Sequence, residues 1–579
     1  MKASPGLARY LPCIEWLRAY DARTLIDDLL AAVIVTIMLV PQSLAYALLA
    51  GVPAEVGLYA SILPLVLYTV FGSSRTLAVG PVAVASLMTA SSIGSLGLTT
   101  QAEYLQAAML LAMLSGLFLL VLGILRFGFM ANFLSHPVVS GFITASGIII
   151  ALGQVRHILG INADGDNIPE LFSTLFEHLG DVNGATLGVG LFALAFLAAA
   201  RIWLKAGLAA LGVPAFAAGL VTKAAPVVAV VITIVWAGMA GLGDQGVALV
   251  GMIPAGLPSL VMPPWDTEMV RELIVPAILI SVIGYVESVS VGKTLAAKRR
   301  QKINQDQELI GLGAANIASA VSGGFPVTGG FSRSVVNFDA GAQTPAAGFF
   351  TAIGIAIATM TLTGYLALLP KATLAATIIV AVLGLVDVSI LKKTWVYSRH
   401  DFIAVAATIG VTLLAGVEIG VSTGVLASLV LHLYKTSRPH IAEVGEIKGT
   451  KHFRNVKRHK VETSPDILQL RIDESLYFAN ASYIEEEIFR NLGERKQLRH
   501  VILMCTAVNE IDISALEVLE SINEILAEQG IGFHLSEVKG PVMDHLEGTH
   551  FLKKLNGQVF LSHYQAVQTL LLEDTLLSL

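Results

Sequence analysis

The chain reads as a succession of long apolar runs separated by short polar loops. A membrane-crossing helix needs about 20 largely apolar residues. Runs of this kind lie near 27–50, 54–71, 104–125, 134–152, 184–200, 214–241, 272–292, 307–322, 346–369, 372–391, 401–416 and 418–433. Two more segments, near 77–93 and 326–340, are apolar but short and rich in Gly, Pro and Ser. The pattern predicts fourteen membrane segments, twelve regular and two interrupted. After Lys435 its character changes. Residues 437–463 are basic and polar, with Lys448, Lys451, Arg454, Lys457, Arg458 and Lys460, and read as a linker. Next to a span, such a segment can also meet anionic lipid. From 464 to 579, short strands such as Ile467 to Ile472, Val501 to Cys505 and Gly532 to Leu535 alternate with amphipathic helices. That alternation predicts a soluble α/β domain. The expected organisation is an N-terminal segment 1–24, a membrane domain 25–436 with halves 25–241 and 271–436, the linker, and the soluble domain.

Composition strengthens this picture. The chain is 55% hydrophobic and 14% charged, with mean hydropathy +0.72, where a soluble domain carries about 25% charged residues. A net charge of −6 without a clustered basic face gives no reason to expect nucleic acid. Two cysteines, Cys13 and Cys505, make neither a disulfide framework nor a metal site. No nucleophile–base constellation and no G-x-x-x-x-G-K-[ST] loop occurs, so neither an enzyme nor a nucleotide-driven pump is expected. No cofactor or metal is expected. Met1 to Asp28 lacks an isolated apolar region with a cleavage site, so no removable signal is expected.

Lys and Arg gather in cytoplasmic loops. Lys2, Arg9, Arg18 and Arg23, then Arg75, Arg126, Arg201 with Lys205, Lys293 to Lys302, and Lys392, Lys393 and Arg399 alternate with loops that lack positive charge. One of those holds Asp164, Asp166, Glu170, Glu177 and Asp181. With fourteen segments, all the basic loops fall on one side and Lys371 is the one exception. The expected location is a multi-pass protein of the cell (inner) membrane with both termini cytoplasmic.

The interrupted segments carry the chemistry. They read SSRTLAVGPVAVASLMTASS at 73–92 and GGFPVTGGFSRSVVNFDA at 323–340. Unwound backbone in lipid leaves polar groups unpaired, so it is tolerated only inside protein or beside water. Each break sits third in its set of seven, the arrangement of a transporter with inverted repeats and a midplane site. Gly80–Pro81 suits Pro at a first helical position, and Ser332 or Gly330 a helix cap. Two facing helix N-termini present free N–H groups and positive dipole ends, which together attract an anion. Arg333 lies inside the second break, and a charge at membrane depth is a functional candidate. Glu287 is the one acidic residue of LISVIGYVESVSVG. Burial disfavours the charged carboxylate, so Glu287 is a candidate for carrying a coupling proton or for pairing with Arg333. Gln42, after Pro41, offers an amide to the anion, and Glu418 in the turn GVEIG is expected to face solvent.

The motifs VPQSLAYA at 40–47, GLYASILP at 57–64, SHPVVSGF at 135–142 and GGFPVTGGFSRSVVN at 323–337 resemble those of the sulfate permease or solute carrier 26 anion transporters. The last domain resembles the STAS domain appended to them. The resemblance implies a polytopic α-helical fold of 7+7 inverted repeats, split into a core and a gate domain. It implies an anion held by Gln42 and Tyr46 on the first segment, Val79, Gly80, Pro81 and Val82 on the third, and Phe331, Ser332 and Arg333 on the tenth. It places Glu287 on the eighth as the proton-coupling residue. It also implies a homodimer and a cytoplasmic STAS domain with a protein partner. In VNEIDISALEVL at 508–519, Ser514 falls where anti-sigma-factor antagonists carry a phosphorylatable serine, with a plain helix cap as the other reading. A sodium site is disfavoured, because Val291 offers no oxygen one turn after Glu287 and Arg333 repels a cation. The expected function is secondary active transport of a small inorganic anion or dicarboxylate, sulfate and bicarbonate included, by proton symport or exchange. An anion channel and sodium-coupled bicarbonate uptake are the alternatives.

Overall fold

The computed structural model describes residues 11–132, 136–163, 165, 167–214, 218, 219, 221, 222, 224–254, 256–493, 495 and 497–577. Residues 1–10 of the N-terminal segment, including Lys2 and Arg9, and the loop residues Asp164 and Asp166 lie outside this set. The chain divides into two compact bodies, Met1–Ser428 and Leu429–Leu579.

In the first body, helix α1 (Ala22–Leu49) starts at Asp21, whose carboxylate accepts from Thr24 N at 2.8 Å. Pro41 lies inside it. Next come α2 (Ala54–Tyr59) and α3 (Leu63–Phe71), then strand β1 (Val79–Gly80) and α4 (Ala83–Gly94). Helix α5 (Gln101–Ile124) opens with a capping box between Thr100 and Glu103. Helices α6 (His136–Gly153), α7 (Val155–Leu159), α8 (Gly184–Ala199) and α9 (Ala225–Ala240) complete the first half. The second half runs through α10 (Thr267–Lys298), α11 (Gln305–Val321), β2 (Thr328–Gly329), α12 (Phe331–Asp339), α13 (Ala346–Thr361), α14 (Lys371–Leu383), α15 (Ser389–Tyr397), α16 (Arg399–Ala415) and α17 (Val417–Ser437). Each of the fourteen expected segments holds a described element, with three differences. The run 54–71 is split at 60–62 into α2 and α3, the run 372–391 is split at Gly384 into α14 and α15, and α8 continues through a π-helical turn at Ala200–Leu204.

Small residues let the segments approach closely, as membrane packing favours. A Cβ on Gly116 of α5 would lie 2.9 Å from Gly313 O of α11, and one on Gly313 would lie 2.9 Å from Gly116 O. Two buried carboxylates tie loops to this frame. Glu308 accepts from Tyr68 Oη at 2.7 Å, from Ser73 N and Oγ at 2.8 and 2.7 Å, and from Ser74 N at 2.9 Å. Asp28 accepts from Gln343 N at 2.7 Å and Thr344 N at 3.1 Å, just past the end of α12. Arg299 donates to the Phe338 and Ala342 carbonyls and closes the C-terminus of the same helix.

Two expectations need correction. Lys371 is not the one cation at the end opposite the basic loops: Arg156, past the fifth segment, shares a cavity with it, and Arg271 starts α10. Glu418 is half-buried and accepts a hydrogen bond from Ser92 Oγ of α4 at 2.5 Å. A short turn between two spans therefore does not leave it to solvent.

The second body is a six-stranded sheet of order β4-β3-β5-β6-β7-β8. Its strands are β3 (Ile441–Glu446), β4 (Phe453–Asn455), β5 (Ile467–Ile472), β6 (His500–Met504), β7 (Gly532–Ser536) and β8 (Val559–Phe560). β5 to β8 run parallel and β3 is antiparallel to both its neighbours. Helices α18 (Ala481–Gly493), α19 (Ile513–Glu528), α20 (Gly540–Glu547) and α21 (His563–Leu577) join and follow the parallel strands. The basic stretch 437–463 is therefore not simply a linker. Val444 and Phe453 are buried in the sheet's core, while Lys448 and Lys451 lie in the turn between β3 and β4, and Arg454, Lys457, Arg458 and Lys460 are exposed on β4 and after it.

Candidate functional site

The two interrupted segments meet. Val79 pairs with Gly329 and Gly80 with Thr328, antiparallel, so each break supplies two residues of extended chain and then a helix N-terminus. Helix α4 follows the N-cap Val82 and α12 follows the N-cap Gly330, and neither has a side-chain cap. Among the described residues, no side chain therefore satisfies the first N–H groups of either helix. Pro81 precedes the N-cap instead of standing at the first helical position, and Ser332 lies inside the first turn instead of capping it.

The unwound backbone is satisfied by short polar side chains of neighbouring helices. Asn316 of α11 donates to Val327 O at 2.8 Å and accepts from Val327 N at 2.9 Å. Ser319 donates to Phe325 O at 2.6 Å. Ser288 of α10 accepts from Gly329 N at 2.9 Å and lies 2.7 Å from Thr328 Oγ1, which donates to Gly284 O at 2.6 Å. Ser334 accepts from Ala78 N at 3.0 Å. Sequence reasoning passed over all of these, because a lone Ser or Asn in an apolar run gives no periodic signal. Ser288 matters most, since it fixes to β2 the turn of α10 that carries Glu287.

Arg333 is 3% exposed. Its Nη2 donates to Gly80 O at 2.7 Å, Pro81 O at 2.6 Å and Thr328 O at 3.4 Å. The guanidinium thus locks the two breaks together, while Nε and Nη1 have no protein acceptor among the described residues. Room for it comes from two glycines. A Cβ on Gly80 would lie 2.7 Å from Nη1, and one on Gly330 2.6 Å from Nε. Tyr46 and Glu287 both couple electrostatically to Arg333. No direct ion pair joins Glu287 to Arg333 among the described residues, so the simple salt bridge is not what the structure contains.

Gln42 and Tyr46 lie one turn apart on α1, and neither is hydrogen-bonded to protein among the described residues. Gln42, Phe331 and Ser332 line one wall of a cavity of about 360 Å3, with Thr377, Gly384 and Arg201 opposite. Val82 is buried beside Gly330. Val79 faces away, with its side chain in the main apolar core, so only its backbone can serve the site. Arg201 is a residue that the sequence reading left in a basic loop. It sits in the π-helical turn, donates to Val380 O at 2.8 Å and brings a cation to the cavity, whose described lining does not include Arg333 itself. In the second body, Ser514 lies in the first turn of α19. The cap there is Asp512, which accepts from Ala515 N at 2.8 Å and from Phe478 N at 2.8 Å. Ser514 is thus not the cap.

Residues 25–408 match the model of the sulfate permease family, and residues 458–566 match the STAS domain. Sulfate transporter 4.1, chloroplastic, of Arabidopsis thaliana is 36% identical over 524 residues, covering 88% of this chain and 75% of that one. Probable sulfate transporter Rv1739c of Mycobacterium tuberculosis is 30% identical over 565 residues, covering 97% and 98%. Among solved structures, murine Solute Carrier 26 family member A9 in the inward-facing state superimposes with a TM-score of 0.89 at 23% identity, over 98% of this chain and 95% of that one. The transmembrane domain of a cyanobacterium bicarbonate transporter, BicA, gives 0.60 at 22% identity, over 71% and 98%. At these identities the two structures establish the fold alone: the first covers nearly the whole chain, and the second covers its membrane domain.

Proposed function

The chain belongs to the sulfate permease family, and on that footing we propose that it carries sulfate across the cell membrane as a proton-coupled symporter. One observation carries the reading. Among the described residues, a buried guanidinium between two uncapped helix N-termini commits a single nitrogen to protein and has no carboxylate partner. Such a charge is costly at membrane depth unless an anion completes it. In this reading the anion takes Nε and Nη1 of Arg333, the N–H groups that open α4 and α12, and the Ser332 hydroxyl. The amide of Gln42 and the hydroxyl of Tyr46 close the site from α1. Gly80 and Pro81 shape its floor, and Val82 and Phe331 its walls. The names of the relatives favour sulfate over bicarbonate, chloride or a dicarboxylate.

Charge balance supports the proton. A divalent anion beside Arg333 and an ionised Glu287 leaves two net negative charges at membrane depth, and a proton on Glu287 leaves one. Loading of anion and proton together is therefore favoured over loading of the anion alone. A sodium ion is disfavoured, because Val291 offers no oxygen one turn after Glu287 and the Arg333 guanidinium repels a cation. The distribution of basic loops supports reading both termini and the STAS domain as cytoplasmic, and in the same reading the protein works as a homodimer whose STAS domain receives a cytoplasmic partner or phosphorylation at Ser514.

The test is uptake by the reconstituted protein. Sulfate, bicarbonate, chloride and a C4-dicarboxylate are offered under an inward proton gradient or an inward sodium gradient. Sulfate uptake driven by the proton gradient is expected. Arg333→Ala should lose uptake, and Glu287→Gln should keep sulfate exchange while losing the proton drive. Sodium-dependent uptake indifferent to pH would refute symport with protons, and large uncoupled currents would make the protein a channel.

A further inference from the structure

A second cavity, of about 440 Å3, lies at the other end of the helix pair that walls the first. Along α1, Gln42 faces the first cavity and Leu48 the second. Along α14, Thr377, Val380 and Ala381 face the first, and Lys371, Leu374 and Ile378 the second. Leu44, Ala45, Leu374 and Ile378 pack into one buried apolar cluster, which forms a plug between the two cavities. The first lies toward the basic loops and the second away from them.

The second cavity is polar and carries two cations of its own. Arg156 and Lys371 both line it, with His157 beside Arg156 (Nε to Nε2, 3.4 Å) and electrostatically coupled to Lys371. Arg156 is held in place by donating from Nη1 to Ala163 O at 3.0 Å. Glu55 is the one carboxylate of the lining, and Gln154 and Gln101 add amides, Gln154 being 5% exposed. Lys371 is also the first residue of α14, whose N-terminus has no side-chain cap, so the helix dipole adds to the positive field. Cations on the side opposite the basic loops run against the orientation rule, and Arg156, Arg271 and Lys371 are three such exceptions. Two of them converge on one cavity, directly over the plug that closes the transport site.

We infer that this cavity is an external docking site for a small oxyanion, formed by Arg156, His157 and Lys371. It gathers the anion from outside before the plug opens. The inference rests on the anion-transport reading above. With two cations against the single Glu55 carboxylate among its described lining, the cleft carries net positive charge, and such a field raises the local concentration of an anion and the rate of its capture, in a salt-dependent way.

The experiment uses the full chain in sealed vesicles of known orientation, with sulfate as the probe. A membrane-impermeant, amine-reactive ester is applied outside, and modification of Lys371 is read by mass spectrometry with and without millimolar sulfate. In parallel, the external KM for sulfate uptake is measured for wild type, Lys371→Gln, Lys371→Glu and Glu55→Gln. Sulfate should slow modification of Lys371 severalfold. External KM should rise about fivefold in Lys371→Gln, further in Lys371→Glu, and fall in Glu55→Gln, with a flatter salt dependence in the lysine variants. Modification that sulfate leaves unchanged, or wild-type KM in both lysine variants, overturns the proposal. Protection of Lys371 in a protein that takes up no sulfate would support the docking site and instead overturn the transport reading.

Discussion

Replacing Gly330 by alanine adds one methyl group at the point where the two breaks close on Arg333. The backbone there has φ −84° and ψ 133°, which alanine adopts without strain. The whole effect is therefore steric and local. The new Cβ would lie 2.6 Å from Arg333 Nε and 3.2 Å from Cζ, where ordinary contact begins at 3.4 Å, so the guanidinium must retreat by 0.8 Å. It cannot do so and keep the bonds of Nη2 to Gly80 O and Pro81 O, which are 2.7 and 2.6 Å long. Hydrogen bonds to a charged group contribute about 1.5–3 kcal/mol each. Losing the equivalent of one raises KM or lowers the maximal rate by about 10- to 100-fold. The assay is sulfate uptake into proteoliposomes, with thermal unfolding of the same preparation as the folding check. Gly94→Ala, at the far end of α4 with no atom within 4 Å of its added Cβ, serves as the matched control and should transport as wild type. Folded Gly330→Ala protein with uptake within about twofold of wild type would refute the placing of Arg333 in the site.

Other parts of the molecule give equally direct tests. Glu308→Ala leaves the Tyr68 hydroxyl and the amides of Ser73 and Ser74 without their acceptor. It should cost about 3 kcal/mol or more and lower the melting temperature by several degrees in detergent. His534 and His563 are buried in the second body and are held down to about 4, by burial and, for His534, by neighbouring His500 as well. Between pH 6.5 and 4 the unfolded state binds more protons than the folded one, so stability falls as the pH drops through that window and is flat above it. Going from pH 7 to pH 5 should cost about 2 kcal/mol per histidine. Hydrogen exchange of the β6 and β7 amides measures this, and pH-independent protection would contradict it. Asp512→Ala removes the α19 cap and the acceptor of Phe478 N, and should destabilise the second body by about 1–2 kcal/mol in chemical unfolding. Ser514→Ala should leave that midpoint unchanged.

The residues differ in how openly the sequence advertises them. The spans are legible because twenty apolar residues have few other uses. The breaks are legible because Gly and Pro stand where Leu belongs, and Arg333 and Glu287 because a charge in an apolar run is conspicuous. The pairing of Val79 with Gly329 is not legible, since two-residue strands have no alternation to read. Nor are Asn316, Ser288 and Ser334, whose importance comes from which carbonyl or amide each one faces. Glu308 reads as an ordinary acid in the first turn of a helix, and only the fold brings Ser73 and Ser74 to it. Strands β3 and β4 are hidden because they are short and the segment around them is rich in Lys and Arg, so composition outweighs pattern. Arg156 was overlooked because it follows an apolar run closely enough to look like that run's end.

The hydrogen bond from Arg333 to Gly80 joins positions 253 residues apart. During synthesis the first break is therefore made and inserted long before its partner leaves the ribosome. Throughout that interval Gly80 and Pro81 lack the guanidinium, Ala78 lacks the Ser334 hydroxyl, and the loop before β1 lacks Glu308. The first half must wait in the bilayer with unpaired backbone at its centre, so maturation of this protein has a vulnerable stage that ends only when α12 docks. Truncations short of α12 should be recognised and degraded by membrane quality control, and the two halves expressed as separate chains should each be short-lived until they meet.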